Sequence, residues 1–183
     1  MTIQTKQLEL SIETEKDIES VYGLLSQIYP PEFPPVRENL QEEQRFYILM
    51  RKGMFGGYFG RWLVKRKSNN PLIGLGYIMP HLCTPEENAA LPNSHPNRFF
   101  EVEVGWVVAP KFRNQRFGSE IGRALCQYAF ESVNVQRVIG ITGENNPASI
   151  RVMERTGMKI VYIPRSSGVL GWVTQNMFQA NDQ

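Results

Sequence analysis

The stretch VVAPKFRNQRFGSEIGRAL, Val107 to Leu125, opens as an apolar strand and closes as an amphipathic helix. Between them stand Lys111, Arg113, Asn114, Gln115 and Arg116, then Phe117, Gly118 and Ser119. A turn needs only glycine, proline or a small polar residue. A loop this rich in donors at the head of a helix suits an anion. The first turn of any helix has unpaired N–H groups and a positive dipole end, and a loop that curls its own amides inward adds further donors. Gly118 lets a ligand approach without a Cβ in the way, and Arg113 and Arg116 supply full charges. The plainer alternative is a turn whose arginines point into water. The pattern is neither a P-loop, which ends in Gly-Lys-Ser/Thr, nor Gly-x-Gly-x-x-Gly.

Outward from this stretch the chain has a regular rhythm. FFEVEVGWVV precedes it as a strand, residues 118 to 132 form a helix, VQRVIGIT is a strand and residues 147 to 156 a helix, and KIVYI and GVLGWVTQ are two more strands. Strand–helix–strand at this spacing requires a crossover between parallel neighbours. Towards the amino end, LELSIE alternates as a half-buried strand. Thr14 caps a helix carrying Ile18, Val21, Tyr22, Leu25 and Ile28 at helical spacing. PPEFPP, with four prolines in six residues, ends that helix. VRENLQEEQRFYILMRKG is a second helix, and RWLVKRK-SNNP-LIGLGYIM a hairpin. GMFGGYFG is an aromatic, glycine-rich loop, and HLCTPEENAALPNSHPN a long polar connection. The expected fold is a single α/β (α+β) domain over residues 1–183, with a mixed central sheet of about seven strands and four helices.

Composition bounds the rest. Hydrophobic residues make up 42% of the 183 and charged residues 21%, the balance of a globular protein. A net charge of +2 argues against wholesale nucleic-acid binding. Cys83 and Cys126 are too few and too isolated for a disulfide framework or a metal site; Cys126 falls on the apolar side of its helix. With His81 and His95 the only histidines, no metal is expected. The start MTIQTKQLEL has no apolar signal core, and no segment approaches the ~20 apolar residues of a membrane span. The expectation is cytoplasmic, with no membrane partner.

A second segment, GENNPASIRVMERTGMKIV, follows the strand VQRVIGIT. Asn146 before Pro147 is a strong helix start, and Gly157 a C-cap. Ser149 sits one turn in, at the amino end. By topology this end lies at the carboxyl edge of the parallel pair, where ligands of open α/β sheets bind.

With both segments in view, the chain resembles a GNAT-type N-acetyltransferase, closest to the RimJ/RimL-like branch. That branch has Glu-Ile-Gly-Tyr-x-Leu-x-Pro where this chain has Glu103 to Pro110, then a Gly-x-Gly-x-Ala-Thr-Glu-type loop where it has Asn114 to Glu120. The later signature, Asn-x-x-Ser-x-Arg-Val-x-Glu-Lys-x-Gly-Phe, is met from Asn146 to Met158 with conservative changes. The broader family's cradle is Gln/Arg-x-x-Gly-x-Gly/Ala, and here Arg116 replaces the middle glycine. If the loop keeps the family shape, Arg116 adopts a backbone conformation that glycine finds easier.

The resemblance implies a parallel pair splayed at the centre of the sheet and acetyl-coenzyme A as donor. The pyrophosphate would sit on the amides of Arg113, Asn114, Gln115, Arg116, Phe117, Gly118 and Ser119, and the pantetheine arm beside the main chain of Val107 and Val108. Asn146 would cap its helix and touch the pantetheine amide. Acetyl transfer to an amine needs a base, a polarised carbonyl and a proton for the thiolate. Glu103 is the candidate base, against a reading as an exposed charge on an alternating strand. Many family members use a tyrosine seven residues after the asparagine, where this chain has Met153. Ser149 is the remaining hydroxyl, against a reading as an ordinary helix residue. Tyr162 and Trp172 either wall the acceptor pocket or pack in the core; residues 30 to 60 and 80 to 98 would build the rest of that pocket. A homodimer is implied only by analogy.

Overall fold

The computed structural model describes residues 1–53, 57–93, 99–163 and 168–180. Eight strands form one sheet: β1 (Thr2–Gln4), β2 (Leu8–Ile12), β3 (Gly60–Arg66), β4 (Leu72–Leu82), β5 (Phe100–Val108), β6 (Arg137–Gly143), β7 (Lys159–Ile163) and β8 (Gly168–Thr174). Their order is β1-β2-β3-β4-β5-β6-β8-β7, so the last strand inserts between β6 and β7. The helices are α1 (Ile18–Ile28), α2 (Arg37–Gly53), α3 (Pro85–Ala90), α4 (Phe117–Tyr128), α5 (Pro147–Arg155) and α6 (Gln175–Ala180).

Seven strands and four helices are those expected from sequence. The additions are short. β1 is three residues long and pairs Ile3 with Leu10 of β2, while α3 and α6 have six residues each, too few for a helical period to show. α3 occupies part of the expected polar connection. It starts on a capping box: Thr84 Oγ1 accepts from Glu87 N–H, and the Glu87 carboxylate accepts from Thr84 N–H at 2.8 Å. Of the loop GMFGGYFG, Met54 and Phe55 lie outside the described residues, as does His95; Phe59 is buried and Tyr58 exposed.

The chain divides into two compact units, Met1–Tyr77 with Trp106–Ala124, and Ile78–Gly105 with Leu125–Gln183. In the first, the apolar face of α1 (Ile18, Val21, Leu24, Leu25) packs with Leu40, Leu63, Leu75 and Ala109. The Glu13 carboxylate, 3% exposed, is gripped by the Arg61 guanidinium at 2.6 and 2.9 Å and takes a third bond from Gln44 Nε2 at 2.9 Å. Burial works against the Arg61 charge, but the bond and field of Glu13, helped by Glu43, win and hold its pKa above the ordinary value.

In the second unit β6 and β8 run antiparallel over seven residue pairs, from Arg137 opposite Thr174 to Gly143 opposite Gly168. The parallel register of β5 and β6 places Val102 opposite Val138 and Glu103 opposite Ile139, although β5 runs on to Val108 and β6 to Gly143. That short register fits the expected splay. Met153 of α5, 1% exposed, lies against Gly171 and Gly140.

Removing Glu13 leaves a buried guanidinium with only the exposed Glu43 as its carboxylate. Glu13→Ala is expected to cost about 3–5 kcal/mol, read as a lowered urea midpoint with unchanged slope.

Candidate functional site

In the first unit the backbone leaves β5, makes a 3-10 turn over Pro110–Phe112 and enters α4 at Phe117. Phe112 N–H bonds Ala109 C=O at 2.9 Å and Arg113 N–H bonds Pro110 C=O at 3.2 Å; helix bonding resumes with Glu120 N–H on Arg116 C=O at 3.1 Å. Among the described residues, the main-chain N–H groups from 114 to 119 donate to no protein acceptor. The Ser119 hydroxyl oxygen is buried there with no partner either. Unspent amides and an orphaned hydroxyl at a helix head are what an anion such as a diphosphate satisfies.

Asn114 and Arg116 have φ of 61° and 64°, the left-handed region found in backbone concavities that bind anions. Arg116 thus takes a backbone conformation that glycine finds easier. Its side chain is exposed and does not plug the helix head. Arg113 donates Nε–H to Val108 C=O at 3.1 Å, and Gln115 donates Nε2–H to Lys111 C=O at 3.1 Å. Part of the Val108 carbonyl's capacity is therefore spent within the loop. Phe117 is 2% exposed, beneath the Arg66 guanidinium, so it contributes its amide and anchors the helix with its ring.

Two contacts that sequence reasoning missed hold this segment. The Glu120 carboxylate accepts from Thr5 Oγ1 at 2.5 Å, Gln7 N–H at 2.7 Å and Gln7 Nε2 at 2.9 Å, tying the first turn of α4 to the β1–β2 turn. Gly74 of β4 faces the Val107 carbonyl so closely that a Cβ would lie 2.4 Å from its oxygen. Only glycine admits that approach. A groove of about 400 Å³ in the same unit is lined by Tyr29, Phe33, Pro34, Pro35, Val36, Asn39, Leu40 and Glu43.

In the second unit Asn146 caps α5, its Oδ1 accepting from Ser149 N–H at 3.1 Å. Ser149 is half-buried, and its hydroxyl takes no partner among the described residues. Glu103 is not an exposed strand charge: its side chain is 12% exposed, with Oε2 3.3 Å from His81 Nδ1. The other ring nitrogen of His81 lies 3.0 Å from Glu87 Oε2. Glu101, buried beside them, is paired with Arg137, whose Nε lies at 3.0 Å and whose Nη1 donates to Pro92 C=O at 2.6 Å. Burial first, then the charges of Glu101 and Glu87, pushes the Cys83 thiol up to about 11. Ligand atoms of His81, Cys83 and Glu87 lie within 4.8 Å of one another, but Glu87 Oε2 already faces His81 Nε2 and accepts from Thr84 N–H. Tyr162 is 59% exposed on the edge strand β7, so core packing does not explain it, whereas Trp172 packs against the cluster of Cys83, Leu91, Ile139, Ile163 and Leu170, beneath Lys159. Cys126 is fully buried.

Comparison with known proteins places these features in context. Residues 7–159 match the family model described as an acetyltransferase (GNAT) domain. A curated relative, an uncharacterized N-acetyltransferase YnaD from Bacillus subtilis (strain 168), is 37% identical over 57 residues. That match covers 31% of this chain and about a third of the relative, 34% of its length. Among solved structures, an acetyltransferase from Agrobacterium tumefaciens str. C58 superposes with TM-score 0.70 at 20% identity, over 96% of this chain and 95% of that one. The ribosomal L7/L12 alpha-N-protein acetyltransferase RimL, in complex with coenzyme A, gives TM-score 0.70 at 14% identity over 95% and 98%. The aminoglycoside acetyltransferase AAC(6')-Ib, in complex with coenzyme A and kanamycin, gives 0.68 at 16% over 96% and 99%. Among the described residues no helix is long and apolar enough to cross a membrane.

Two outcomes follow from the backbone and the thiol. Arg116→Gly relieves roughly 1–2 kcal/mol of left-handed strain against about 0.4–1 kcal/mol of added unfolded-state entropy. Its urea midpoint should rise slightly, and that of Arg116→Ala should not. Because the folded Cys83 thiol holds its proton above the ordinary value of 9.0, the folded state binds more protons than the unfolded one above that pH. Its contribution to stability is complete below pH 9 and is lost as pH rises towards 11. The fall in urea midpoint over that window should be smaller in Cys83→Ala than in the parent.

Proposed function

The chain belongs to the acetyltransferase (GNAT) family, and on that premise we propose that it is an acetyl-coenzyme A-dependent N-acetyltransferase. It moves an acetyl group to a primary amine by direct transfer in a ternary complex. One observation carries the reading: the N–H groups from 114 to 119 and the buried Ser119 hydroxyl are left without protein partners at the head of α4. That donor set suits the diphosphate of the coenzyme, and Arg113 and Arg116 add charge at its rim. The main chain of Val107 and Val108 serves the pantetheine arm, with the Arg113 bond to Val108 narrowing what that carbonyl has left to offer.

The coenzyme supplies an activated acetyl thioester; the chain's own groups manage protons and charge. Glu103, shielded from solvent yet held by a polar neighbour, takes the proton from the acceptor ammonium. Ser149 donates a hydrogen bond where charge develops on the leaving sulfur, and Asn146 fixes the helix end that presents it. Covalent transfer through Cys83 is disfavoured, because a thiol held up to about 11 stays protonated at neutral pH. The acceptor class is a protein N-terminus, a protein side chain or a small-molecule amine, as RimL and AAC(6')-Ib illustrate on the same fold.

A second reading is a coenzyme-binding module without turnover. It is favoured by Met153, which fills the family's tyrosine position as a buried packing residue. Calorimetry with desulfo-coenzyme A should show binding that ATP does not reproduce. A panel of amines, including N-terminal peptides, should then release free thiol. Binding without thiol release on any acceptor selects the module; no coenzyme binding removes both. Glu103→Gln should lower neutral-pH turnover by roughly 10²–10⁴ and recover as the acceptor amine deprotonates at higher pH, while equal rates at every pH would take the base away from Glu103.

A further inference from the structure

The imidazole of His81, near the end of β4, lies between two carboxylates: Nδ1 is 3.3 Å from Glu103 Oε2 and Nε2 is 3.0 Å from Glu87 Oε2. All three side chains are largely shielded, at 23% exposure for His81, 14% for Glu87 and 12% for Glu103. A neutral imidazole has one N–H and one lone pair, and an ionised carboxylate only accepts. Both contacts are hydrogen bonds at once only if the ring carries two protons, or if one carboxylate carries the proton that the ring lacks. The Nε2 contact with Glu87 is a hydrogen bond and the Nδ1 contact with Glu103 an ion-pair separation, so one proton more than a neutral histidine beside two carboxylates holds would let the ring donate to both.

We infer that His81 is a positioning residue that holds Glu103 and, with Glu87, forms a proton-sharing array through which Glu103 is recharged between turnovers. The inference rests on the proposal that Glu103 is the base. With both carboxylates ionised and the ring doubly protonated, the array carries one negative charge. Glu103 accepts a proton from the acceptor ammonium and the array becomes neutral. The freed nitrogen lone pair forms the N–C bond to the acetyl carbon, the C–S bond breaks, and the second nitrogen proton ends on the thiolate. Loss of one proton from Glu87 to water restores the array. One protonated amine and one thioester thus yield an amide, a thiol and one proton in solution.

The surroundings favour this arrangement over other uses of the cluster. Glu87 is fixed independently: its Oε2 accepts from Thr84 N–H at 2.8 Å as the capping box of α3. Its orientation towards His81 is therefore set by the helix start. Of the other ionisable groups near the array, Glu101 is neutralised by Arg137, and Cys83 remains a neutral thiol. Among the described residues, the carboxylates facing the ring are then Glu87 and Glu103.

The test compares the parent with Glu103→Gln, His81→Gln, His81→Ala and Glu87→Gln in the full chain. Thiol release is followed against pH, coenzyme affinity by calorimetry, and imidazole ¹⁵N signals at neutral pH, with His81→Gln assigning the His81 ring against His95. His81→Gln and Glu87→Gln should keep coenzyme affinity, lower kcat roughly tenfold at neutral pH as part of the 10²–10⁴ a general base supplies, and displace the acid limb of the kcat profile. His81→Ala should lose more than His81→Gln, because glutamine still donates to Glu103. The His81 ring signals should move in both Glu103→Gln and Glu87→Gln. If Glu103→Gln lowers turnover while His81→Gln and Glu87→Gln keep the parent profile, the array is overturned and the base stands. If Glu103→Gln turns over like the parent, the base itself fails and the array with it. Ring signals that ignore both carboxylate replacements overturn the array even in a chain without turnover. Stoichiometric zinc, retained by the parent and lost in His81→Ala, overturns it in favour of a metal site.

Discussion

The amino end of α4 is held from several sides, and what remains unheld there follows from that restraint. Phe117 is driven into the core, so the first residue of the helix cannot swing. Glu120, one turn on, accepts three bonds from Thr5 and Gln7, and its negative charge near the positive end of the helix dipole adds to the restraint. With side chain and carboxylate fixing the helix, the amides before Glu120 are left without partners in the chain. Leaving such groups unmade in a folded protein costs free energy, and a site preorganised in this way recovers that cost when an anion binds. The left-handed residues Asn114 and Arg116 belong to the same strain. Asparagine tolerates it; arginine does so only because the loop on both sides is fixed.

A second constraint is the close passage of Gly74 beneath the Val107 carbonyl. The strand edge that would serve a pantetheine arm thus depends on a missing methyl group on the neighbouring strand, while Ala109 N–H returns to Ile73 C=O at 2.9 Å and fixes where the loop begins. Arg113 then closes on Val108. A residue that looks from sequence like a phosphate ligand serves in this loop as a brace.

The second unit manages charge differently. Its shielded carboxylates include Glu101, matched with Arg137, and Glu87 and Glu103, which face one histidine between them. A matched pair is electrostatically quiet and serves structure. Two carboxylates around one imidazole are the arrangement from which we infer a shared proton. The depth of Met153 belongs to the same division: packing took that position, which leaves Ser149 as the hydroxyl we propose for the leaving sulfur.

The alternation of LELSIE, the helical spacing of Ile18, Val21 and Leu25, the Asn146–Pro147 start and the Gly157 stop were enough for seven strands and four helices, because each is a local preference carried by neighbouring residues. The unspent amides at the head of α4 were equally legible, since helix-head amides depend on where a helix begins and on little else. Strand order was not. That β8 enters between β6 and β7, that Gly74 meets Val107, and that Glu120 reaches Thr5 are pairings between distant residues, settled by which surfaces fill space together. His81 and Glu87 read as polar residues of a connection until folding set them beside Glu103. Periodicity reports which way a side chain faces, whereas only the packed chain decides what it faces.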